Sequence, residues 1–364
     1  MLFPATLSRY IARSYLEHFG LVLLIVSSGL LLSNTFDTLN RFRSIVFTIP
    51  IFLNLILLKL PYLLIEVIPL VGFISALFFL HYLAKSNQLV SIFNTGTSIW
   101  NVLMPILVIG ITVGILSTTI LQPVASIFIG KYDALESKLL KRRSSGGAAI
   151  SDSGVMIAED YSNQRRIIIA RSVDVTTKEL GGLTILLTDS DNNFLSRIDA
   201  KSARLDHGKF ELHNLHTFNA DGSEQLETMG FPTSLSIGRF TEGFASPEHI
   251  SFWQLPKLIE KLQETGVPTS RYQLYYYKQL FRPIMMIAVC FMATCFTSMR
   301  QNRISGLRNF GIGILVGFIV YLVSEILIAI LMHNGLTAYA AGIFPIVAII
   351  LLSLFVILHL HEAG

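Results

Sequence analysis

Cysteine is almost absent, with Cys290 and Cys295 the two in 364 residues. They stand five apart in one apolar run, where a helix separates their Cα atoms by roughly 7.5 Å along its axis and turns them away from each other. Neither a disulfide framework nor a thiolate metal cage follows. Charge is scarce too: Asp, Glu, Lys and Arg make up 14% of the chain, too little to clothe a soluble domain of this apolar content. The net charge of +4 is spread thinly, without a basic tract to follow a phosphate backbone, so nucleic acid is not an expected partner. No G-x-x-x-x-G-K-[ST] occurs, which leaves no loop to cradle a nucleotide. No nucleophile, base and orienting group fall into a catalytic pattern, so no catalytic residue is assigned and a hydrolase is not expected.

What is present is hydrocarbon: 52% of residues are hydrophobic and the mean hydropathy is +0.59. The acidic residues are gathered in one place, 19 of the 24 lying within residues 122–271. Crossing a ~30 Å hydrocarbon core takes about 20 mostly apolar helical residues, because lipid offers the backbone no other hydrogen-bond partner. Residues 17–39, 52–83 and 99–121 meet that demand before the acidic block, and 281–299, 310–332 and 336–359 after it. Ahead of the first span, Phe3, Leu7, Tyr10, Ile11 and Tyr15 recur at helical spacing with Arg9 and Arg13 opposite, which predicts a helix resting on the inner leaflet. The first span is too long for a cleaved signal and is read as an anchor. Pro61 and Pro69 are expected to bend the second span.

Arg9, Arg13, Lys85, Arg300, Arg303 and Arg308 fall on one side, while Arg41, Arg43, Arg271, Lys278 and Arg282 fall toward the other. The short loop holding Arg300, Arg303 and Arg308 is dense in cations and decides the orientation, making its side cytoplasmic. The insert is then extracytoplasmic, and periplasmic in a host with two membranes.

Within the insert the apolar period changes from 3.6 to 2. Leu183, Ile185 and Leu187 alternate with Thr184 and Thr188, Phe194 and Ile198 with Arg197 and Asp199, and Phe210 and Leu212 flank Glu211. Turn signals stand at Ser162-Asn163-Gln164, Asp191-Asn192-Asn193, His207-Gly208 and Asp221-Gly222, predicting an antiparallel sandwich or jelly roll over residues 154–239. A helix is expected over residues 251–265, with Phe252, Leu255, Leu258, Ile259 and Leu262 on one face and Gly266-Val267-Pro268 ending it. The fold class is therefore an α-helical membrane protein of six transmembrane helices, with an all-β jelly-roll domain inserted on the periplasmic side between helices 3 and 4. Its parts are residues 1–122, with the amphipathic helix and the first three spans, 123–270, the β domain with flanking helices, and 271–364, the last three spans.

Weak metal signals do not accumulate. In a regular strand His213 and His216 would point to opposite faces, and neither they nor His359-x-His361 come with a carboxylate motif, so no metal ligand is assigned. Ser144-Ser145-Gly146-Gly147 reads as a flexible lead-in to the β domain and not as a phosphate loop.

Several stretches in order resemble the permease subunits of the lipopolysaccharide-export ABC transporter, the LptF/LptG family. They are Leu7-Ser8-Arg9-Tyr10-Ile11, Phe36-Asp37-Thr38-Leu39, Leu83-Ala84-Lys85-Ser86-Asn87-Gln88-Leu89-Val90, Glu179-Leu180-Gly181-Gly182-Leu183, Arg271-Tyr272-Gln273-Leu274 and Phe281-Arg282-Pro283. Their order and the three-plus-three layout around a β insert carry the resemblance over nearly the whole chain.

The resemblance implies a multi-pass protein of the bacterial inner membrane that pairs with a second permease (LptF-like) to pass lipopolysaccharide outward. It also implies a dimeric cytoplasmic ATPase (LptB-like) that binds ATP and Mg, with no cofactor in this chain, a single-span periplasmic jelly-roll protein (LptC-like) and a bridge protein (LptA-like). The first cytoplasmic loop is then a coupling helix in a groove of the ATPase. Gln88 stands in it where the family usually has an acid, Leu89, Val90, Ile92 and Phe93 give the apolar contact, and Gly96 with Thr97 and Ser98 ends it. At the outer rim, Arg41 and Arg43 are expected to pair with lipid phosphates. Asn34 and Asn40 stand where the family tends to place Lys, and Asp37 lies between them. Lys131 and Arg271 are further rim candidates, followed by Lys278 and Arg282. Asp37, Glu66 and Glu325 are costly acids at or inside spans, expected to be paired or to face water. Two rivals belong to other classes: a membrane-anchored periplasmic lipid-binding or scaffold protein without ATPase coupling, and a secondary transporter, which would show inverted repeats.

Overall fold

The computed structural model describes residues 5–43, 48–96, 98–139, 148–151, 154–161, 164–174, 179–188, 194–206, 209–219, 222–233, 246–296 and 303–362. Phe3, Thr97, the Ser144-Ser145-Gly146-Gly147 stretch, Arg300 and the turn positions Ser162-Asn163, Asp191-Asn192-Asn193, His207-Gly208 and Asp221 lie outside them. The chain divides into two compact units, Met1–Tyr132 with Gln273–Gly364, and Asp133–Tyr272.

In the first unit, α1 (Ala5–Arg41), α2 (Ile49–Lys85), α3 (Gln88–Asn94) and α4 (Ile99–Leu116) are followed by a π-helical turn (Ser117–Leu121) that leads into α5 (Gln122–Leu139). After the sheet come α6 (Leu255–Glu264), which belongs to the second unit, α7 (Ser270–Leu280), which leads from the second unit back into the first, and then α8 (Arg282–Thr294), α9 (Arg303–His333) and α10 (Ala338–Glu362). Among the described residues, five stretches are long and apolar enough to cross a membrane: Thr6–Arg41, Ile49–Lys85, Ile99–Leu139, Phe310–His333 and Ala338–His359. The expected fourth span differs. α8 has 13 residues, about 20 Å of helix against the ~30 Å of a hydrocarbon core. The chain breaks at Phe281 because Pro283 sits in the first turn of α8, yet Phe281 N donates to Tyr277 O (2.9 Å) and Met285 N to Phe281 O (2.9 Å), bridging α7 to α8. α2 stays helical through Pro61 and Pro69.

A correction concerns the amino-terminal face. α1 is one continuous helix from Ala5, and Ile11 and Tyr15, expected on the leaflet, are fully buried in the core with Phe79 and Leu83. The ring centroids of Tyr15 and Phe79 lie 5.9 Å apart. Two aromatic side chains so packed gain more inside the bundle than on a lipid surface.

Between membrane helices hydrophobicity does not discriminate protein from lipid, so close packing and interhelical hydrogen bonds hold the bundle. Gly110 and Gly114 of α4 lie against α8: a Cβ on Gly114 would stand 2.5 Å from Pro283 Cα, a backbone atom. Gly313 and Gly317 of α9 differ: they lie under α2 side chains, Leu77 and Phe73, and not against its backbone. Both pairs have the small-x-x-x-small spacing that lets helix backbones approach. Polar ties cross elsewhere: Asn34 Nδ2 donates to Ile56 O (3.0 Å), Thr118 Oγ1 to Gln279 O (2.9 Å) and Tyr321 OH to Glu66 O (3.1 Å).

The second unit holds a seven-stranded antiparallel sheet, β1 (Ala148–Ser151), β2 (Gly154–Tyr161), β3 (Gln164–Asp174), β4 (Glu179–Thr188), β5 (Phe194–Asp206), β6 (Lys209–Asn219) and β7 (Gly222–Pro232), in sequence order. The all-β insert is as expected. Among the described strands its order is a meander, each strand pairing with the next in sequence, without the crossovers of paired Greek keys. Burial is carried by one face whose parity changes along the strands. Leu180 and Leu183 are buried in β4, Ala200 and Ala203 in β5, Leu212 and Leu215 in β6. The residues inside those gaps include Gly182 (φ +61°) and Asn214 (φ 50°), aligned in one row by the register. An extra residue per strand in one row bends the sheet across the strands while keeping the same face inward. The bend also revises the histidine pair: His213 and His216 are both exposed, beside buried Leu212 and Leu215, so they share the outer face. Among the described residues no group of three His, Cys, Asp or Glu side chains gathers there or elsewhere.

One end of the curled sheet is closed by polar groups. Thr233 Oγ1 donates to both Glu159 carboxylate oxygens (3.1 and 2.9 Å), Arg166 Nη1 donates to Pro232 O (2.7 Å), and the Arg166 guanidinium lies 4.5 Å from the Phe231 ring centre. The end of β7 is thus tied to β2 and β3, whereas residues 222–230 of β7 are exposed.

After the sheet, Pro247–His249 forms a single 3-10 turn before α6, which starts at Leu255, four residues later than expected. His249 Nε2 lies 2.7 Å from Asp133 Oδ2 of α5. This bond to Asp133 raises the His249 pKa above its ordinary 6.5, against partial burial, which lowers it. A raised folded value means the stabilisation is complete below about 6.5 and is lost as pH rises through the folded pKa. Hydrogen exchange of the amides around residue 249 in the full-length protein should therefore speed up between pH 6 and 8, relative to the intrinsic base-catalysed rise. In Asp133→Asn that excess should vanish; an excess equal to the parent's would refute the assignment.

Candidate functional site

Three places in the helical unit gather the residues singled out above. The first is α3, a seven-residue helix. Asn87 (φ 60°) and Gly96 (φ +76°) take left-handed conformations at its two ends, which an L side chain resists and glycine does not. Leu89 is buried in the chain's own core, and Ile92 and Phe93 pack partly against it. Gln88 Oε1 accepts a hydrogen bond from Tyr10 OH (2.9 Å) of α1. Of the expected apolar contacts only Val90 is exposed, together with Ser91, Asn94 and Thr95. The expected contact set thus divides in two: Leu89, Ile92 and Phe93 seat the helix, and the exposed edge at Val90 faces away from the core.

The second place is the end of α1. Asn34 and Thr38 are buried on the side toward α2, and the Asn34 amide is spent on Ile56 O. Asp37, Asn40, Arg41 and Arg43 are exposed, whereas Phe42 between the two arginines is buried and pins the turn through Phe42 N to Thr38 O (3.1 Å). Below this charged rim lies an uncovered apolar wall of Leu24, Ile25, Leu32 and Phe36. Only 11% of the apolar window of α1 is buried, and 17% of that of α9, against 61% for α2. Lys131 is exposed on α5, its Nζ 5.9 Å from the Phe128 ring centre. Arg271 belongs to the other unit, where its Nη2 donates to Ser246 Oγ (3.3 Å).

The third place was only partly foreseen. Glu66, Lys278, Arg282, Tyr321 and Glu325 line a cavity of about 60 Å³ with Pro69, Met285, Ile328 and Pro345, room for waters and not for an acyl chain. Lys278 Nζ pairs with both oxygens of Glu325 (3.0 and 2.8 Å). Glu325 is thus paired, as a membrane acid is expected to be. The spacing of Lys278 and Arg282, one helical turn apart on the bridged α7 and α8, was the signal for this gathering.

Comparison with known proteins covers the same extent. The family model described as "Lipopolysaccharide export system permease LptF/LptG" matches residues 9–359. The chain is 24% identical over 357 residues to the lipopolysaccharide export system permease protein LptG of Haemophilus influenzae, covering 93% of this chain and 94% of that one. With the protein of the same name from Escherichia coli K12 it shares 21% over 302 residues, 80% of each chain.

Proposed function

Because the chain belongs to the LptF/LptG family of lipopolysaccharide export permeases, we propose that it is one half of a channel that lifts lipopolysaccharide from the outer leaflet of the bacterial inner membrane. It is a multi-pass membrane subunit of a transport system. In this reading a dimeric cytoplasmic ATPase binds ATP and Mg and seats its groove on α3, and this chain carries no cofactor of its own. A second permease of the same family pairs with it, and the lipid passes through the periplasmic β domain to a single-span jelly-roll protein and a bridge protein.

The observation that favours this reading is the pair of poorly covered spans, α1 and α9, of which α1 carries an apolar wall below a rim with Arg41 and Arg43. An acylated phosphosugar asks for that order of surfaces, cations for its phosphates and hydrocarbon for its chains. An anchored scaffold protein would not need the seated α3. Affinity purification from membranes should co-purify an ATPase, a second permease and lipopolysaccharide, and recovery of the chain alone would refute the proposal. Arg41→Glu with Arg43→Glu should cut lipopolysaccharide-stimulated ATP hydrolysis of the reconstituted complex by about tenfold, the scale of one or two lost charge-assisted contacts. Unchanged stimulation would remove both arginines from the site.

A further inference from the structure

Four charged side chains from four helices meet at the third cavity, and they are unevenly paired. Lys278 of α7 and Glu325 of α9 make their ion pair at its mouth. Deeper in, Arg282 of α8 is 7% exposed and its Nη1 has no hydrogen-bond partner. The Glu66 carboxylate of α2 lines the same cavity and takes no hydrogen bond from a described residue, although it acts on Arg282 through its charge. A guanidinium cannot shed its proton, and leaving one of its buried N–H groups without an acceptor is costly. A foreign anion is a poor solution: two cations and two carboxylates already sum to zero, so a further negative group would meet both carboxylates at short range. The acceptor that Arg282 lacks is already in the cavity.

The helix that carries that acceptor is soft at the right place. Pro69 lines the cavity three residues after Glu66 and has no amide to give to the carbonyl of residue 65, so α2 can flex within one turn of Glu66. From these observations we infer that Glu66 closes onto Arg282 as an ion pair in a second conformation of the helices, with the open pair seen here as the other state. Glu66 and Arg282 are then positioning residues that favour one arrangement of α2 against α8 in the transport cycle. Tyr321, whose hydroxyl holds the Glu66 carbonyl oxygen, carries that movement to α9. This rests on the transport reading above, since a cycle driven by a partner ATPase is what alternates the two states.

The test uses the purified complex. Glu66→Cys and Arg282→Cys are placed together in a chain that also has Cys290→Ala and Cys295→Ser, and a short bifunctional thiol reagent is added to nucleotide-free and vanadate-trapped complex. Cross-linking should differ by about tenfold or more between the two states, within the range of ordinary allosteric coupling. Equal cross-linking in a complex that hydrolyses ATP overturns the switch and leaves the transport reading standing. A chain that recruits no ATPase overturns both. In a separate arm that keeps the shape of the side chain, Glu66→Gln should lower lipid-stimulated hydrolysis several-fold while yield and basal hydrolysis stay at the parent level. Stimulation equal to the parent's would also overturn the switch.

Discussion

Gly114→Leu is expected to leave little or no folded protein in the membrane, and Gly114→Ala to lower the melting midpoint measurably. The contact is with backbone: a Cβ at this position would sit 2.5 Å from Pro283 Cα and 3.0 Å from its nitrogen. A flexible side chain can turn aside, but the first turn of α8 cannot move without drawing α8 away from α4. Overpacking of this kind costs about 1–3 kcal/mol for a modest excess and more for a large one, a substantial part of the 5–15 kcal/mol that holds a typical fold. Gly20→Ala is the matched control, since nothing lies within 4 Å of the added carbon. Thermal unfolding in detergent followed by size exclusion reads both variants. Equal midpoints for Gly114→Ala and Gly20→Ala would show that α4 and α8 are not in backbone contact.

The second large effect is expected at α3. Removing residues 88–96 should strip the ATPase from the purified complex while the second permease stays bound. Leu89→Asp should do nearly the same by another route, because it puts an unpaired carboxylate into the core that seats the helix, a change costing several kcal/mol. Val90→Arg tests the outward edge: Val90 is 40% exposed, so the variant should fold normally and lose ATPase binding alone. A Val90→Arg complex that retains its ATPase would place the docking edge elsewhere on the chain.

Much of this architecture can be read from residue order, and the exceptions have physical causes. Apolar runs mark spans because lipid enforces them, and the period-2 alternation marks strands because a sheet with one buried face enforces that. The residues that look inward along α1 are another matter. Ile11 and Tyr15 have the same spacing whether they meet lipid or protein, and only the presence of Phe79 across from Tyr15 decides it. The short α8 is likewise hidden, since Pro283 is as compatible with the start of a helix as with a bend inside one. Gly110 with Gly114, and Gly313 with Gly317, stand at small-x-x-x-small spacing, a signal that could have found these helix contacts but was not among the expectations above. His213 and His216 could not be placed on one face without knowing that Asn214 turns left-handed between them. At α3 the sequence marks the apolar residues but not the division of labour among them, because a seven-residue helix shows one face to its own core whichever partner lies beyond.

The meander order of the β unit has a consequence for biogenesis. Each strand pairs with the one made just before it, so loop closure is short at every step and contact order is low. The β segment can therefore condense hairpin by hairpin as a nascent chain, before the ribosome has supplied the last membrane helices. The tie from Thr233 to Glu159 spans 74 residues and forms only after β7 has emerged, which makes it the event that completes the sheet, ahead of the His249 to Asp133 contact that follows in the same unit.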